Sequence, residues 1–260
     1  MRIFLFFVVV CLGVRGLAQD QRGGQVWRAC REAVTSAGFS PLGIWREEVK
    51  VVSPRNLSWV DTHYVSLAQP LFLRDHQGTR SYRSGFDGHQ PWETDAPVAT
   101  TPEKAPLAGL VDSFKKGSPE EETRSWMTRL PVLWTLDLKA EWLAEETVDT
   151  LLCDKLRLFH PGDGSPLADV WVDRDAHLMR RLDIWGAPRA DRAPRATSYL
   201  LKDYRPTDGL MLPYLIEGRF RRTIVRAGFH DADAATFFVK PADGVYLPLR
   251  EEAAPTAPEP

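Results

Sequence analysis

The chain has 260 residues and three cysteines, and no pair of them is spaced C-x-x-C. That excludes a thioredoxin-type redox pair and a thiolate zinc knuckle. There is also no G-x-S-x-G elbow, no H-E-x-x-H and no glycine-rich phosphate loop, so the sequence carries no signature of a serine hydrolase, a zincin protease or a P-loop nucleotide enzyme. Charge of one sign is missing too. Thirty-three Lys and Arg face 35 Asp and Glu, for a formal net charge of −2, and no basic run is long enough to suggest a nucleic-acid partner. Long apolar runs are absent as well. The N-terminal run, Ile3 to Leu12, is short for a membrane span.

That N-terminal stretch is the first positive feature. Arg2 supplies a positive start, Ile3 to Leu12 an apolar centre, and Gly16-Leu17-Ala18 small residues at the −3 and −1 positions. This is the pattern of a secretory signal peptide, with cleavage after Ala18. Cys11 follows Val8-Val9-Val10, whereas a lipid-attachment box needs a small residue at that point. Cleavage leaves Cys30 and Cys153, which can pair in an oxidising compartment or remain as two buried thiols.

The mature chain reads as helix, meander, two helices, meander. Gln19 to Gly24 is polar. Val26, Ala29, Cys30, Ala33 and Val34 recur at helical spacing within Gln25 to Ala37. Alternating segments then follow at Gly43 to Val52, Leu57 to Leu67, Leu71 to His76, Arg80 to Gly85 and Gln90 to Thr94. In the second of these, Trp59, Asp61, His63 and Val65 fall on one side. Pro106 to Lys116 has an apolar stripe of Leu107, Leu110, Val111 and Phe114 and predicts a helix. Ser118-Pro119-Glu120-Glu121 is a strong start for another, which should break near Pro131. Strands resume at Glu141 to Thr147, Leu151 to Phe159, Leu167 to Val172 and Leu178 to Ile184. Thr197 to Phe220 forms a hairpin around Asp208-Gly209, with Pro213 marking an edge or an irregular point. Arg221 to Ala227 and a short element at Ala234 to Val239 come last, and Glu251 to Pro260 is a Pro/Ala/Glu tail. Many antiparallel strands with segregated helices make an α+β fold. Its expected form is a strongly curved sheet, an incomplete β-barrel, with helices over the concave face. The domain boundaries are 1–18 for the signal peptide, 19–250 for one domain and 251–260 for a disordered tail.

Three polar clusters invite a chemical reading: Asp173, Asp175 and His177; His230, Asp231 and Asp233; and Asp87 with His89. Each lies at a turn, where such residues satisfy backbone groups, so no metal site, cofactor or catalytic residue is assigned.

Several short motifs resemble the LolA/LolB-like periplasmic proteins that sort outer-membrane lipoproteins. They are Phe86-Asp87-Gly88 with Trp92-Glu93; Glu146-Thr147-Val148 with Cys153-Asp154-Lys155-Leu156-Arg157-Leu158; Val170-Trp171-Val172-Asp173 with His177 to Arg181; Tyr204-Arg205 with Asp208 to Tyr214; and Phe237 to Pro241. Thr150 stands where such relatives usually carry the turn glycine. The resemblance implies an apolar cavity that receives acyl chains beneath a helical lid formed by Pro106 to Lys116 and Ser118 to Leu130. Its implied lining is Leu107, Leu110, Val111, Phe114 and Trp126 from the helices, with Trp59, Trp92, Leu156, Leu158, Leu212 and Tyr214 from strands. It implies a non-enzymatic periplasmic carrier for a lipid or lipoprotein acyl chain. A module that binds envelope proteins on the same fold is the alternative.

Overall fold

The computed structural model describes residues 20–36, 39–78, 81–95, 118–186 and 195–246. The expected leader, the helix at Pro106 to Lys116 and the C-terminal tail lie outside these residues.

Helix α1 (20–34) is followed by strands β1 (Ile44–Val52), β2 (Ser58–Ser66), β3 (Phe72–Gln77), β4 (Tyr82–Phe86) and β5 (Pro91–Asp95). Helices α2 (Pro119–Met127) and α3 (Leu130–Thr135) come next. Then follow β6 (Ala140–Val148), β7 (Leu151–Phe159), β8 (Pro166–Asp173), β9 (Met179–Trp185), β10 (Ala196–Thr207), β11 (Leu210–Glu217) and β12 (Arg221–His230), and finally α4 (Ala234–Phe237) and β13 (Val245–Tyr246). All strands join one antiparallel sheet in the order β13-β5-β4-β3-β2-β1-β12-β11-β10-β9-β8-β7-β6. The two meanders meet where β1 pairs with β12 over nine residue pairs. β5 and β6 therefore stand toward opposite ends of the sheet, and the chain between them must cross it. Helices α2 and α3 lie on that crossing.

The sheet is strongly curved and does not close. One turn of α2 measures the curvature. Trp126 Nε1 donates to the Ser66 carbonyl at the end of β2, 2.7 Å away, while Arg124 Nε donates to the Trp185 carbonyl at the end of β9. Those strands are five positions apart in the sheet order, about 24 Å if the sheet were flat. Two side chains separated by one residue reach both only because the strands wrap around the helix.

The concave face holds the main core. Trp27, Cys30 and Val34 of α1, Trp126 of α2, and Val132, Leu133 and Trp134 of α3 pack there against Leu156, Leu158, Val170, Leu182, Leu201 and Leu212. α1 begins at residue 20, earlier than the polar Gln19 to Gly24 suggested. Gly23 explains part of this, because a Cβ there would lie 2.4 Å from the Ala140 carbonyl oxygen; its missing side chain lets the helix start press on β6. Arg22 fastens the contact through Glu145 and Asp154 and lies 4.1 Å from the Trp142 ring centroid.

Pro131 opens a helix instead of ending one. α2 stops at Met127, and α3 begins at Leu130 with the proline in its first turn, where the missing N–H costs no hydrogen bond. α2 itself starts as expected, with a reciprocal Ser118–Glu121 capping box. On the convex side, α4 covers β1 to β5: Phe238 is buried with Ile44, Leu73 and Trp92, and Phe237 packs against them.

The hairpin at Asp208-Gly209 forms between β10 and β11, with φ of 43° and 83° at the two turn residues. Within β10 the alternation slips. Asp203 has φ 53° and is exposed, so Tyr204 packs on the core and its hydroxyl donates to the Met179 carbonyl. β11 pairs with β12 only at Leu215–Thr223, Ile216–Arg222 and Glu217–Arg221, and then the two strands fork. Pro213 stands in the forked part, free of any β12 ladder. The chain leaving α1 fills the fork, with Thr35 bridging to Leu210 and the Ser36 N–H donating to the Gly209 carbonyl. Asp208 Oδ2 accepts from the Phe229 N–H at 3.1 Å and ties the two prongs together.

Asp149 and Thr150 join β6 to β7 with φ of 45° and 73°. A β-branched residue is strained there. Replacing Thr150 with Gly should raise stability by about 1 kcal/mol, read as a higher urea midpoint; an unchanged or lower midpoint would refute the strain.

Candidate functional site

The concave face beneath α2 and α3 divides into two kinds of surface. Across β7 to β11 it is apolar, and Leu156, Leu158, Val170 and Leu212 have no exposed area. Side chains bordering a water-sized void would keep some, so this floor is filled. Val132, Leu133 and Trp134 of α3 are among its filling, at 0%, 0% and 1% exposure.

Across β1 to β3 the same face is polar. In the pairing register, Glu47 of β1 stands opposite Ala227 of β12 on one side and His63 of β2 on the other, and His63 stands opposite Arg74 of β3. The next row runs Val49, Asp61, His76. Asp61 is nearly fully buried, at 4% exposure. Its Oδ2 accepts from Trp59 Nε1 at 3.0 Å and Arg74 Nη2 at 2.9 Å, and its Oδ1 lies 2.7 Å from His76 Nδ1. His63 Nε2 is 3.9 Å from the same carboxylate. Arg129, at the junction of α2 and α3, hangs over this patch with its guanidinium carbon 4.4 Å from the Phe72 ring centroid. Arg222 of β12 faces the same side, opposite Val51 and Ile216, with its guanidinium 5.2 Å from the Tyr199 centroid.

Burial and neighbouring charge set the ionisation here. Burial pushes the Asp61 carboxyl upward, but hydrogen bonds from His63 and His76 and the Arg74 charge outweigh it and hold the group well below the usual carboxylate range. Burial pushes His63 down to about 4, helped by the positive charges of Arg129 and Arg74. Burial raises Glu47 despite the Trp45 N–H and the charges of Arg129 and Arg222. Arg129 falls to about 10, chiefly through burial.

The residues expected to line a cavity are not all brought together. Leu156, Leu158 and Leu212 belong to the apolar floor, and Trp126 is packed on it from above. Trp59 is half-buried at the polar end, in edge contact with Phe220. Tyr214 is half-buried, with its hydroxyl 3.0 Å from Thr207 Oγ1 and Arg205 4.6 Å from its ring centroid. Trp92 is a correction: it points to the convex face, beneath Phe238. Leu107, Leu110, Val111 and Phe114 lie outside the described residues. Of the two readings open for the cysteines, the structure has the two buried thiols. Cys30 and Cys153 are both free and buried, Cys30 in the concave core and Cys153 on the convex side with Val148 and Trp171, so the sheet stands between them. Burial pushes their thiols up to about 12 and about 11.

The turn clusters serve backbone and neighbouring groups. Asp173 accepts from the Asp175 and Ala176 N–H groups and from Arg180. Asp87 accepts from the His89 and Gln90 N–H groups, and Asp233 caps α4. The Glu47–Asp61–Arg74–Arg129–Arg222 cluster had no motif to announce it. Its one signal was the alternation of β2, which put Asp61 and His63 on the same side as Trp59 and Val65.

Both titrating groups make the fold acid-sensitive. His63 is held neutral, so between about pH 6.5 and 4 the unfolded chain binds the extra proton and stability falls as pH falls, by about 2–3 kcal/mol in all. Asp61, held low, stabilises the fold above about pH 4 and loses that contribution below it. His63→Gln should flatten the loss between pH 6.5 and 4.5 in urea melts followed by tryptophan fluorescence. Asp61→Asn, which strands Arg74 and His76, should cost about 3 kcal/mol at pH 7. A His63→Gln protein with the wild-type pH profile would refute the assignment.

No family model matches the sequence, and no curated protein matches it significantly. Solved structures do match the fold. A LolA superfamily protein from Nitrosomonas europaea superposes with a TM-score of 0.51 at 11% identity, covering 84% of this chain and 98% of its own. A DUF1329 family protein from Desulfovibrio piger does so with a TM-score of 0.51 at 14% identity, covering 85% of this chain and 97% of its own. With its unclosed antiparallel sheet wrapped around helices on the concave side, the chain has a divergent LolA-like fold.

Proposed function

We propose that the protein is exported, loses residues 1–18 after Ala18, and works in the periplasm as a single unit of residues 19–250 that binds the acyl chain of a lipid or lipoprotein. No covalent chemistry is involved. The observation that carries this reading is the placement of α3. Its Val132-Leu133-Trp134 run lies on the apolar floor, and it belongs to the connection that crosses the sheet between the β5 and β6 ends.

In this reading α3 occupies the acyl site when no ligand is bound. Leu156, Leu158, Leu212 and Trp126 are the side chains an incoming chain would meet, with Trp59 and Tyr214 at the margins; Leu107, Leu110, Val111 and Phe114 would join them. Displacing α3 exposes apolar surface, and an acyl chain covers it again, so the two occupants exchange at small net cost. The LolA-like fold supports the same reading.

The test is displacement of a fluorescent fatty acid from the purified mature protein, together with mass spectrometry of lipids extracted from it. Bound lipid, or saturable binding at micromolar ligand, is expected. Ala in place of Trp134, which loosens the plug, should tighten that binding. A protein that carries no lipid and binds no acyl probe would overturn the reading.

A further inference from the structure

The polar end of the concave face has more donors than acceptors. Arg129 Nε is enclosed and meets no hydrogen-bond partner. Neither Arg129 nor Arg222 forms a salt bridge among the described residues. By contrast, the guanidinium of Arg74 is paired with Asp61, and those of Arg157 and Arg181 on the convex face with Asp169 and Asp183. Buried donors without acceptors are uncommon and costly in a folded protein. Arg129 and Arg222 influence each other and Glu47 electrostatically, and Glu122 of α2 also acts on Arg129; Glu47 already accepts from Trp45 Nε1 at 3.0 Å.

The surroundings are those of a site that takes one polar end of a larger apolar molecule. Arg129 rests on Phe72, and Arg222 on Tyr199. Trp59, Ile216 and Phe220, only partly buried, pack against the main core near Arg222 and lead toward the apolar floor. Guanidinium groups bind carboxylate and phosphate oxygens through paired, charge-assisted hydrogen bonds. We infer that Arg129 and Arg222 form the seat for an oxyanion at the end of an acyl ligand, a carboxylate or a phosphate monoester, with Glu47 and Glu122 as internal carboxylates that partly offset their charge in its absence. This rests on the acyl-binding reading above and specifies the ligand's head.

The experiment compares three ligands with the same oleoyl chain: oleate, oleoyl lysophosphatidic acid and oleyl alcohol. Binding to the mature protein is measured by displacement of a neutral fluorescent acyl probe. At least one anionic ligand should bind about tenfold or more tightly than the alcohol, and the stronger of the two identifies carboxylate or phosphate as the preferred head. Arg129→Met and Arg222→Gln should each collapse that preference toward unity. Glu47→Gln should increase it, a gain that misfolding cannot produce, and thermal melts report the integrity of each variant. Equal binding of acid and alcohol by the wild type, or a preference that survives both arginine substitutions, overturns the oxyanion seat while leaving acyl binding in place. If none of the three ligands binds, the acyl-binding reading falls and the seat falls with it.

Discussion

Everything in this fold depends on one ladder, the nine-pair contact between the first strand of the sheet and the last long one. It joins residues separated by most of the chain, so it forms late and at a high cost in loop entropy. Once made, it leaves only one geometry for the rest. Each meander must unroll outward from the junction, and the strands before and after the helical connection end up far apart. The connection has to travel across the sheet, and a curved sheet offers it a concave side on which apolar residues can be buried. The lid-like position of α2 and α3 is thus a consequence of strand order.

The curved sheet also has two electrical characters on one surface. Over β7 to β11 the inward residues are mostly leucine and valine, whereas β1 to β3 carry Glu47, Asp61, His63 and Arg74 on the same face. Burial of charge is tolerated around Asp61 because every carboxylate oxygen has a donor. Around Arg129 it is tolerated less well, since its Nε has no acceptor. Natural folds keep such deficits where something else completes them.

Much of the architecture was legible in the sequence. Period-two alternation located nearly every long strand, the Asp208-Gly209 dipeptide fixed the β10–β11 turn, and Ser118-Pro119 with its acids marked the start of α2. Local rules failed where tertiary contact decides. Nothing in a polar Gln19 to Gly24 shows that Gly23 is pressed against a β6 carbonyl, and Pro131 reads equally well as a stop or a start. Asp203 hides a slip that turns Tyr204 inward. The candidate site was the least readable part, because strand alternation assigns faces in pairs without saying which is concave; Trp92 falls on the far side for that reason. Charged residues scattered over β1, β2, β3 and β12 become one cluster only through long-range pairing.

The fork between β11 and β12 gives the sheet a spine three residue pairs long. On one side lie β1 to β5 with β12, on the other β6 to β11, and each leaf keeps its own continuous ladder. Rotation about that spine changes the angle between the leaves without breaking a strand pair in either. The polar patch belongs mostly to one leaf and the apolar floor to the other, and Arg222 sits in the spine itself, opposite Ile216. A change in leaf angle would therefore alter the spacing between the polar patch and the apolar floor, and the bonds that span both leaves, from Trp126 to Ser66, Arg124 to Trp185 and Phe229 to Asp208, set that angle.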